Sequence, residues 1–240
     1  MQSTPDLPCS LPQGLPDPAS AAQLEALAAD LRAAGLPLLR SAGELESLAA
    51  DGFVYSPVLQ PLLCGLRAQI GVRVQAPEEV LQVAASCSRH GVSLTVRGAA
   101  TGNYGQCIPL AGGLLLETSG LNRLRHVDAS SGVFTAEPGI VLAELDRQLL
   151  AHGREQRLLP STVRTASLGG YVAGGSGGIG SLRWGFLRDP GHLLGVEMVT
   201  LEAQPLARIG SQIARMIHQR FSVCCAEFSN IKVKIKDCLP

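Results

Sequence analysis

The sequence predicts an α+β fold, and three observations support that class. A strand–helix–strand pattern lies between residues 70 and 97, where apolar residues alternate in the strands and recur at helical spacing between them. Short apolar segments at hairpin spacing follow over residues 114–137. Two glycine-rich segments, 98–113 and 169–185, interrupt these elements. This mixture favours mixed sheets flanked by helices over a doubly wound parallel sheet.

Composition and charge exclude several classes of protein. The chain has 240 residues, of which 46% are hydrophobic and 17% charged, so it can build a packed core. Its net charge is zero, which excludes the basic surface typical of nucleic-acid binders. No apolar run approaches the roughly 20 residues that span a bilayer. We therefore expect neither a nucleic-acid partner nor a membrane span.

The seven cysteines indicate a reducing compartment. None of them forms a C-x-x-C pair, and no spacing among them suits a zinc site. No signal peptide is recognisable at the start. We expect a cytoplasmic protein without a bound metal.

Two helices are expected in an N-terminal extension, residues 1–59. Asp17 and Pro18 suit the cap and first turn of a helix that ends at Gly35. Ser41 and Glu44 form a capping-box pattern for a second helix, to about residue 50. We interpret both as a lid or packing element, without chemistry of their own.

The next elements lead into the first glycine-rich loop. Strands are expected at residues 70–74 and 92–97, on either side of a helix at 77–90 that Gly91 ends. Short strands at 114–117, 125–128 and 133–137 are spaced as hairpins. A helix at residues 140–152 and a last strand at 193–201 complete the pattern.

The first loop follows a strand directly and reads Arg97-Gly98-Ala99-Ala100-Thr101-Gly102. Small residues allow close approach to a ligand, and successive N–H groups in such a turn can bind an anion. Arg97 adds a fixed positive charge, while Thr101 and Asn103 add hydrogen-bonding side chains. The loop therefore suits a pyrophosphate, with an ordinary tight surface turn as the alternative.

The second segment holds seven glycines between residues 169 and 180. Leu168, Tyr171 and Ile179 are interleaved with them, which argues against the alternative of a flexible linker. Residues 175–180 match G-x-G-x-x-G formally, but neither a strand before them nor a good helix start after them is evident. A nicotinamide-binding Rossmann unit is therefore less favoured than a flavin site.

Taken in order, the motifs resemble the FAD-binding domain of the vanillyl-alcohol-oxidase/p-cresol-methylhydroxylase type, over about residues 60–204. They are Arg97-Gly98-x-x-Thr101-Gly102, Glu137-Pro138-Gly139, Pro160-Ser161, Ser167-Leu168-Gly169-Gly170, Trp184-Gly185 with Asp189, and Val196-Glu197-x-Val199. The similarity is greatest to the glycolate-oxidase-subunit and D-lactate-dehydrogenase-like branch. It implies a two-lobed domain that holds FAD between its lobes, in an oxidoreductase of a small 2-hydroxy acid or alcohol.

The resemblance also implies three groups of cofactor-binding residues, while the catalytic residues stay unknown. The first loop would wrap the pyrophosphate, the second segment would line the diphosphate and ribityl chain, and the last strand would meet the adenine. The residues are Arg97, Gly98, Ala99, Ala100, Thr101, Gly102, Asn103, Gly105 and Gln106; Pro160, Ser161, Thr162, Ser167, Leu168, Gly169, Gly170, Gly174, Gly177 and Gly180; and Val196, Glu197 and Val199.

Residues 205–240 differ from the rest of the chain. All three lysines and five of the nine isoleucines lie there. Residues 209–217 show helical spacing, and 231–236 alternate like a strand whose lysine face suits a solvated sheet edge. We interpret this tail as a truncated or frame-shifted end in place of the substrate domain that the resemblance implies. The chain would then need another chain's substrate domain for catalysis, or be a non-catalytic FAD-binding remnant.

Any bound flavin should be released intact by acid. Thr101 stands where the histidyl-linked members of the resembled family carry His, and the second segment has no cysteine for a thioether link. Acid precipitation of the FAD-loaded protein should therefore leave yellow colour in the supernatant. Colour retained by the precipitated polypeptide would contradict this interpretation of the first loop.

Overall fold

The computed structural model contains two β-sheets with helices packed on them. It describes residues 17–175, 177–199 and 201, and the backbone alone of 205–209 and 227–234. The first sheet has four strands and the second has five. Together they confirm the predicted α+β class with mixed sheets flanked by helices. Among the described residues, no helix has the length and hydropathy needed to cross a membrane.

Helix α1, Ala21–Ala33, begins later than Asp17 and Pro18 predict. Its cap is Ser20, whose hydroxyl accepts a hydrogen bond from the Gln23 N–H, while the Gln23 side chain accepts one from the Ser20 N–H. This capping box determines the start because it satisfies two backbone N–H groups at once.

Short elements follow, among them the predicted second helix. Strand β1 is Leu38–Leu39, and helix α2, Ala42–Ser47, begins at Ser41 as predicted. A 3-10 turn, Gly52–Tyr55, and helix α3, Gln60–Leu63, come next. The sequence patterns predicted neither of these last two elements.

The first sheet contains strands β2 (Ile70–Arg73), β3 (Leu94–Arg97) and β4 (Leu114–Glu117), in the order β1-β2-β4-β3. Strand β4 is central and runs parallel to both β2 and β3. Helix α4, Pro77–His90, connects β2 to β3 and ends at Gly91, in the left-handed conformation that glycine favours.

Helices α1 and α4 pack together against this sheet. The side chains that form its core include Leu27, Leu31, Val72, Val80, Val83, Leu114 and Leu116. At the rim, the Asp30 carboxylate contacts His90 Nε2 at 2.8 Å and accepts a hydrogen bond from Arg89 Nη1 at 2.5 Å. The contact with His90, aided by Arg89, lowers the pKa of Asp30. The N-terminal helix is thus part of the core of the first sheet.

Strand β4 does not form the predicted hairpin with the strand that follows it. Strand β5, Leu124–Asp128, pairs instead with β6, Val133–Ala136, in the second sheet. All four residues of β4 are buried, as in a central strand covered on both faces. The hairpin spacing was misleading here because an apolar run does not identify its partner strand.

The second sheet is antiparallel, with the order β5-β6-β9-β7-β8. Strand β7 is Leu193–Val199, β8 is Pro205–Ile209 and β9 is Glu227–Lys234. Strand β9 lies between β6 and β7, so the predicted sheet edge for the lysine-bearing strand is wrong. The backbone of β9 pairs with β6 on one side and with β7 on the other, and so satisfies hydrogen-bonding groups of both strands. Of the helical spacing predicted at residues 209–217, Ile209 is the last residue of β8, and residues 210–217 lie outside the described residues.

Three helices accompany the second sheet. Helix α5, Leu142–Leu150, lies within the predicted range, while α6 (Leu168–Gly174) and α7 (Ser181–Trp184) arise inside the glycine-rich segment. Apolar side chains of α5, α6 and the strands form the second core, including Phe134, Leu142, Leu145, Leu149, Leu168, Val172, Leu193 and Val196. A helix therefore leads into Gly175, which removes the strand that a Rossmann fingerprint requires.

The corner Glu137-Pro138-Gly139 joins the two sheets. The fully buried Glu137 carboxylate accepts hydrogen bonds from the Arg123 N–H at 2.8 Å and from the Arg125 guanidinium. Gly139 N–H donates to Leu121 O at 2.7 Å. A Cβ atom on Gly139 would lie 2.7 Å from that oxygen and would overlap with the carbonyl of Thr118. Only glycine fits this crossing of the chain.

Gly139→Ala should lower the free energy of unfolding by about 3 kcal/mol, because the added methyl group meets backbone that has no room to move. The matched control is Gly43→Ala. Gly43 lies in α2 with nothing within 4 Å of an added Cβ. That change should stabilise the protein by about 0.5–1 kcal/mol. Urea denaturation measures both, and an unchanged midpoint for Gly139→Ala would contradict this account of the corner.

Candidate cofactor site

The two glycine-rich segments meet in the folded protein. The Ala99 N–H donates a hydrogen bond to Ser167 Oγ at 3.4 Å. A Cβ atom on Gly98 would lie 2.5 Å from the same oxygen. Ser167 itself is buried, so this contact is an internal support where the loop and helix α6 approach each other. The structure thus brings together two groups of residues that the motifs predicted to hold one cofactor.

Gly169 and Gly170 differ sharply in their surroundings. Gly169 is buried, its N–H donates to Pro138 O at 2.7 Å, and a Cβ there would lie 2.7 Å from the Pro138 side chain. Gly170 is exposed, and an added Cβ would meet only Ser167 Oγ, at 3.2 Å. Packing inside the protein explains the glycine at 169. At Gly170, the exposed face of the backbone leaves room for a ligand.

Residues 160–162 lie beside the end of the second segment. Leu159 and Ile179 exchange two backbone hydrogen bonds, of 3.2 and 2.8 Å. Gly178 and Gly180 then pass so close to the carbonyls of residues 159 and 157 that any side chain would overlap with them. Internal packing therefore explains the glycine at 180, which was predicted to contact the cofactor. Ser161, Gly174 and Gly178 are exposed, and Pro160, Thr162 and Gly177 are half-buried.

Arg97 is directed toward the N-terminal segment. It is buried, and its Nη1 donates hydrogen bonds to Leu48 O at 2.7 Å and Ala50 O at 2.9 Å. The predicted fixed charge is therefore present at the start of the first loop. Part of its hydrogen-bonding capacity holds residues 48–50 in place.

The remainder of the first loop is folded on itself. Gln106 Oε1 accepts a hydrogen bond from the Tyr104 N–H at 3.1 Å and would lie 2.5 Å from a Cβ on Gly102. Ala100 has φ +52°, in the left-handed region that small residues tolerate best. Thr101 is half-buried, and Asn103 is exposed. The predicted loop residues thus line a tight, partly exposed turn.

Residues on β7 face the protein interior. Val196 is buried in the core of the second sheet and Val199 in that of the first, while Glu197 is half-buried. The side chains of the two valines are therefore taken up by packing. Contact between this strand and an adenine would use main-chain groups or the half-buried Glu197.

Neither segment carries an obvious general base. Residues 97–106 and 160–180 contain no His, Asp, Glu, Lys or Cys. Burial raises the pKa of Tyr171 to about 12, and its hydroxyl donates to Gly177 O at 3.2 Å. That phenol stays protonated at neutral pH and supports the segment. Within the described residues, no group of three His, Cys, Asp or Glu could hold a metal ion.

Sequence patterns missed Asp51. Its Oδ2 accepts a hydrogen bond from the Gly105 N–H at 3.1 Å. The two residues are 54 positions apart, and no local motif marks Asp51. Only the fold reveals that the N-terminal segment contacts the first loop.

Two lobes that bring separate glycine-rich segments together at their junction define a domain built to hold a dinucleotide cofactor. Residues 68–204 match the family model described as "FAD binding domain", which takes in more than half of the chain. The protein belongs to this family of FAD-binding domains. The resemblance drawn from the ordered motifs is confirmed.

Similar proteins include FAD-linked oxidoreductases. An uncharacterized FAD-linked oxidoreductase of Mycobacterium tuberculosis is 31% identical over 140 residues, covering 58% of this chain and 30% of the relative. The glycolate oxidase subunit GlcD of Bacillus subtilis is 28% identical over 138 residues, covering 58% of this chain and 29% of the relative. The chain thus spans under a third of the length of these relatives.

The fold is shared with solved structures. That of alkyldihydroxyacetonephosphate synthase has a TM-score of 0.77 at 18% identity, and the match covers 91% of this chain and 44% of that one. At this identity the likeness concerns the fold alone. It supports the two-lobed α+β architecture.

Gly170→Val should abolish FAD binding and leave the apo-protein folded. The exposed position can accept a side chain in the apo-protein, but a branched one would occupy the space over the backbone that the cofactor needs. Gly43→Val is the matched control, since it adds the same side chain to an exposed helix glycine away from both segments. Flavin fluorescence gives the affinity and circular dichroism the folding. Wild-type affinity in a folded Gly170→Val protein would mean that Gly170 does not contact the cofactor.

Proposed function

We propose that this chain binds FAD without a covalent bond and is the cofactor-binding part of an oxidoreductase acting on a small 2-hydroxy acid or alcohol. The observation that carries the proposal is the contact between Ala99 N–H and Ser167 Oγ beside the exposed Gly170. This contact brings the two glycine-rich segments together. The family to which the chain belongs is described by the same cofactor.

The described residues suit a phosphate held by local geometry. The chain has no net charge, so a basic surface does not supply the attraction. Backbone N–H groups of the first loop and the single charge of Arg97 provide a local alternative. In the proposal, residues 98–106 wrap the pyrophosphate. Residues 160–162, with Ser167 and Gly170, line the ribityl side, and the β7 backbone meets the adenine.

Non-covalent binding is supported by the side chains available. Thr101, half-buried in the first loop, has no nucleophilic ring nitrogen to form a link. None of the cysteines that the structure describes, Cys64, Cys87 and Cys107, lies in the second segment. We also propose the cytoplasmic location that the cysteine pattern of the sequence suggests.

The substrate class is proposed from the likeness to the glycolate oxidase subunit. When bound, FAD supplies the ring that accepts the hydride. This chain's part is to hold and orient that cofactor, because residues 97–106 and 160–180 contain no His, Asp, Glu, Lys or Cys that could take the hydroxyl proton. We propose that the base and the substrate-orienting groups come from elsewhere in the complete enzyme.

FAD titration of the purified chain, followed by anaerobic addition of glycolate or D-lactate, tests the proposal. FAD should raise the melting temperature and NAD should not, and the loaded protein should be reduced slowly by both acids. The reduction should be slow because orientation of the substrate lowers the barrier of such reactions by about 7–11 kcal/mol, and this chain does not supply it. A base adds roughly a further 10²–10⁴-fold.

Two outcomes would overturn parts of the proposal. Stabilisation by NAD and none by FAD would remove the flavin assignment. Rapid bleaching of the flavin band, at a rate that saturates with one acid, would mean that residues 1–240 contain a complete active site. The proposal that the base and the substrate-orienting groups come from elsewhere in the enzyme would then be wrong.

A further inference from the structure

We propose that Asp51 is a positioning residue for the first glycine-rich loop, and that residues 48–52 set the conformation in which this loop binds the cofactor. The inference rests on the proposed function, since it takes the ligand of the loop to be FAD. Asp51 lies outside the region matched by the family model, which begins at residue 68. The site would therefore depend on a segment that precedes the matched region.

Three consecutive residues anchor the loop at three points. Ala50 O accepts a hydrogen bond from Arg97 Nη1 at 2.9 Å, where the loop begins. Gly52 N–H donates to Gly102 O at 2.8 Å, in the middle of the loop. Between them, the Asp51 carboxylate accepts from the Gly105 N–H at 3.1 Å, near its end. The segment runs alongside the loop and makes contact over most of its length.

The Asp51 contact supports the most constrained part of the loop. Gly105 has φ +75°, and an added Cβ would overlap with the side chain of Leu63 in α3. Asp51 is only 8% exposed, so water is a poor substitute for its carboxylate as an acceptor. The Cys107 thiol lies 3.9 Å from the same carboxylate oxygen. Loss of the carboxylate should release the turn at residues 103–106.

The backbone at Gly52 lies too close to the first loop to leave room for a side chain. A Cβ there would overlap with Asn103 Oδ1 and would lie 2.8 Å from Gly102 O. On its other side, the loop contacts Ser167 through the Ala99 N–H. The loop is thus held between residues 50–52 and the start of α6. A loop ordered in advance loses less conformational freedom when FAD binds, which raises the affinity.

The experiment compares Asp51→Ala, Asp51→Asn and Asp30→Ala. Asp51→Ala should weaken FAD binding about tenfold, roughly the effect of one net hydrogen bond. Amide hydrogen exchange of residues 101–106 should become faster in the apo-protein. Asp51→Asn should restore the affinity to within about threefold, because its amide oxygen can still accept from the Gly105 N–H. Asp30→Ala is the matched control, since it removes a carboxylate whose partners lie on α4.

The outcomes separate the inference from the proposed function. If the wild-type protein does not bind FAD, the proposed function fails and the inference fails with it. If wild-type and Asp51→Ala bind FAD equally and exchange at equal rates, only the inference is overturned. Equal losses in Asp51→Ala and Asp51→Asn would also overturn it. If Asp51→Ala does not fold, Asp51→Glu decides, since displacing the carboxylate by one methylene should weaken FAD binding.

Discussion

The site depends on the corner Glu137-Pro138-Gly139. The Gly139 N–H donates a hydrogen bond to Leu121 O, just after β4. The Glu137 carboxylate accepts hydrogen bonds from Arg123 and Arg125, at the start of β5 in the second sheet. Pro138 O accepts the Gly169 N–H at the start of α6. One turn of chain therefore fixes both sheets and helix α6, which begins directly after Ser167. Because Ser167 contacts the first loop, a shift of this corner would separate the two glycine-rich segments.

Glycines in this protein serve two different purposes. At residues 139, 169 and 180 an added side chain would meet backbone or proline of the same chain, so glycine is required for folding. At the exposed residue 170, an added Cβ would meet only Ser167 Oγ, at 3.2 Å. Glycine density alone does not distinguish these cases, since both leave the same mark in the sequence. The packing around each position does, because it shows which glycines the fold itself requires.

The N-terminal residues are more closely integrated than their sequence suggests. Helix α1 contributes Leu27 and Leu31 to the core of the first sheet, and residues 48–52 contact the first loop. The sequence patterns indicated two helices here and a packing role. They did not indicate a contact with the first loop, because Asp51 and Gly105 are joined by tertiary structure across 54 positions.

The sequence by itself determined the local elements and the family. Pro77 and Gly91 mark the ends of α4, Ser41 marks the start of α2, and the ordered motifs identify the FAD-binding domain, because caps, turns and motifs are read from neighbouring residues. Tertiary structure decided which strands pair. It placed β4 between β2 and β3 and β9 between β6 and β7. It also brought Ser167 and Asp51 to the first loop. Such contacts depend on the packing of residues that are distant in the sequence. Apolar periodicity specifies which face of a strand or helix is buried, but it does not specify the element against which that face packs.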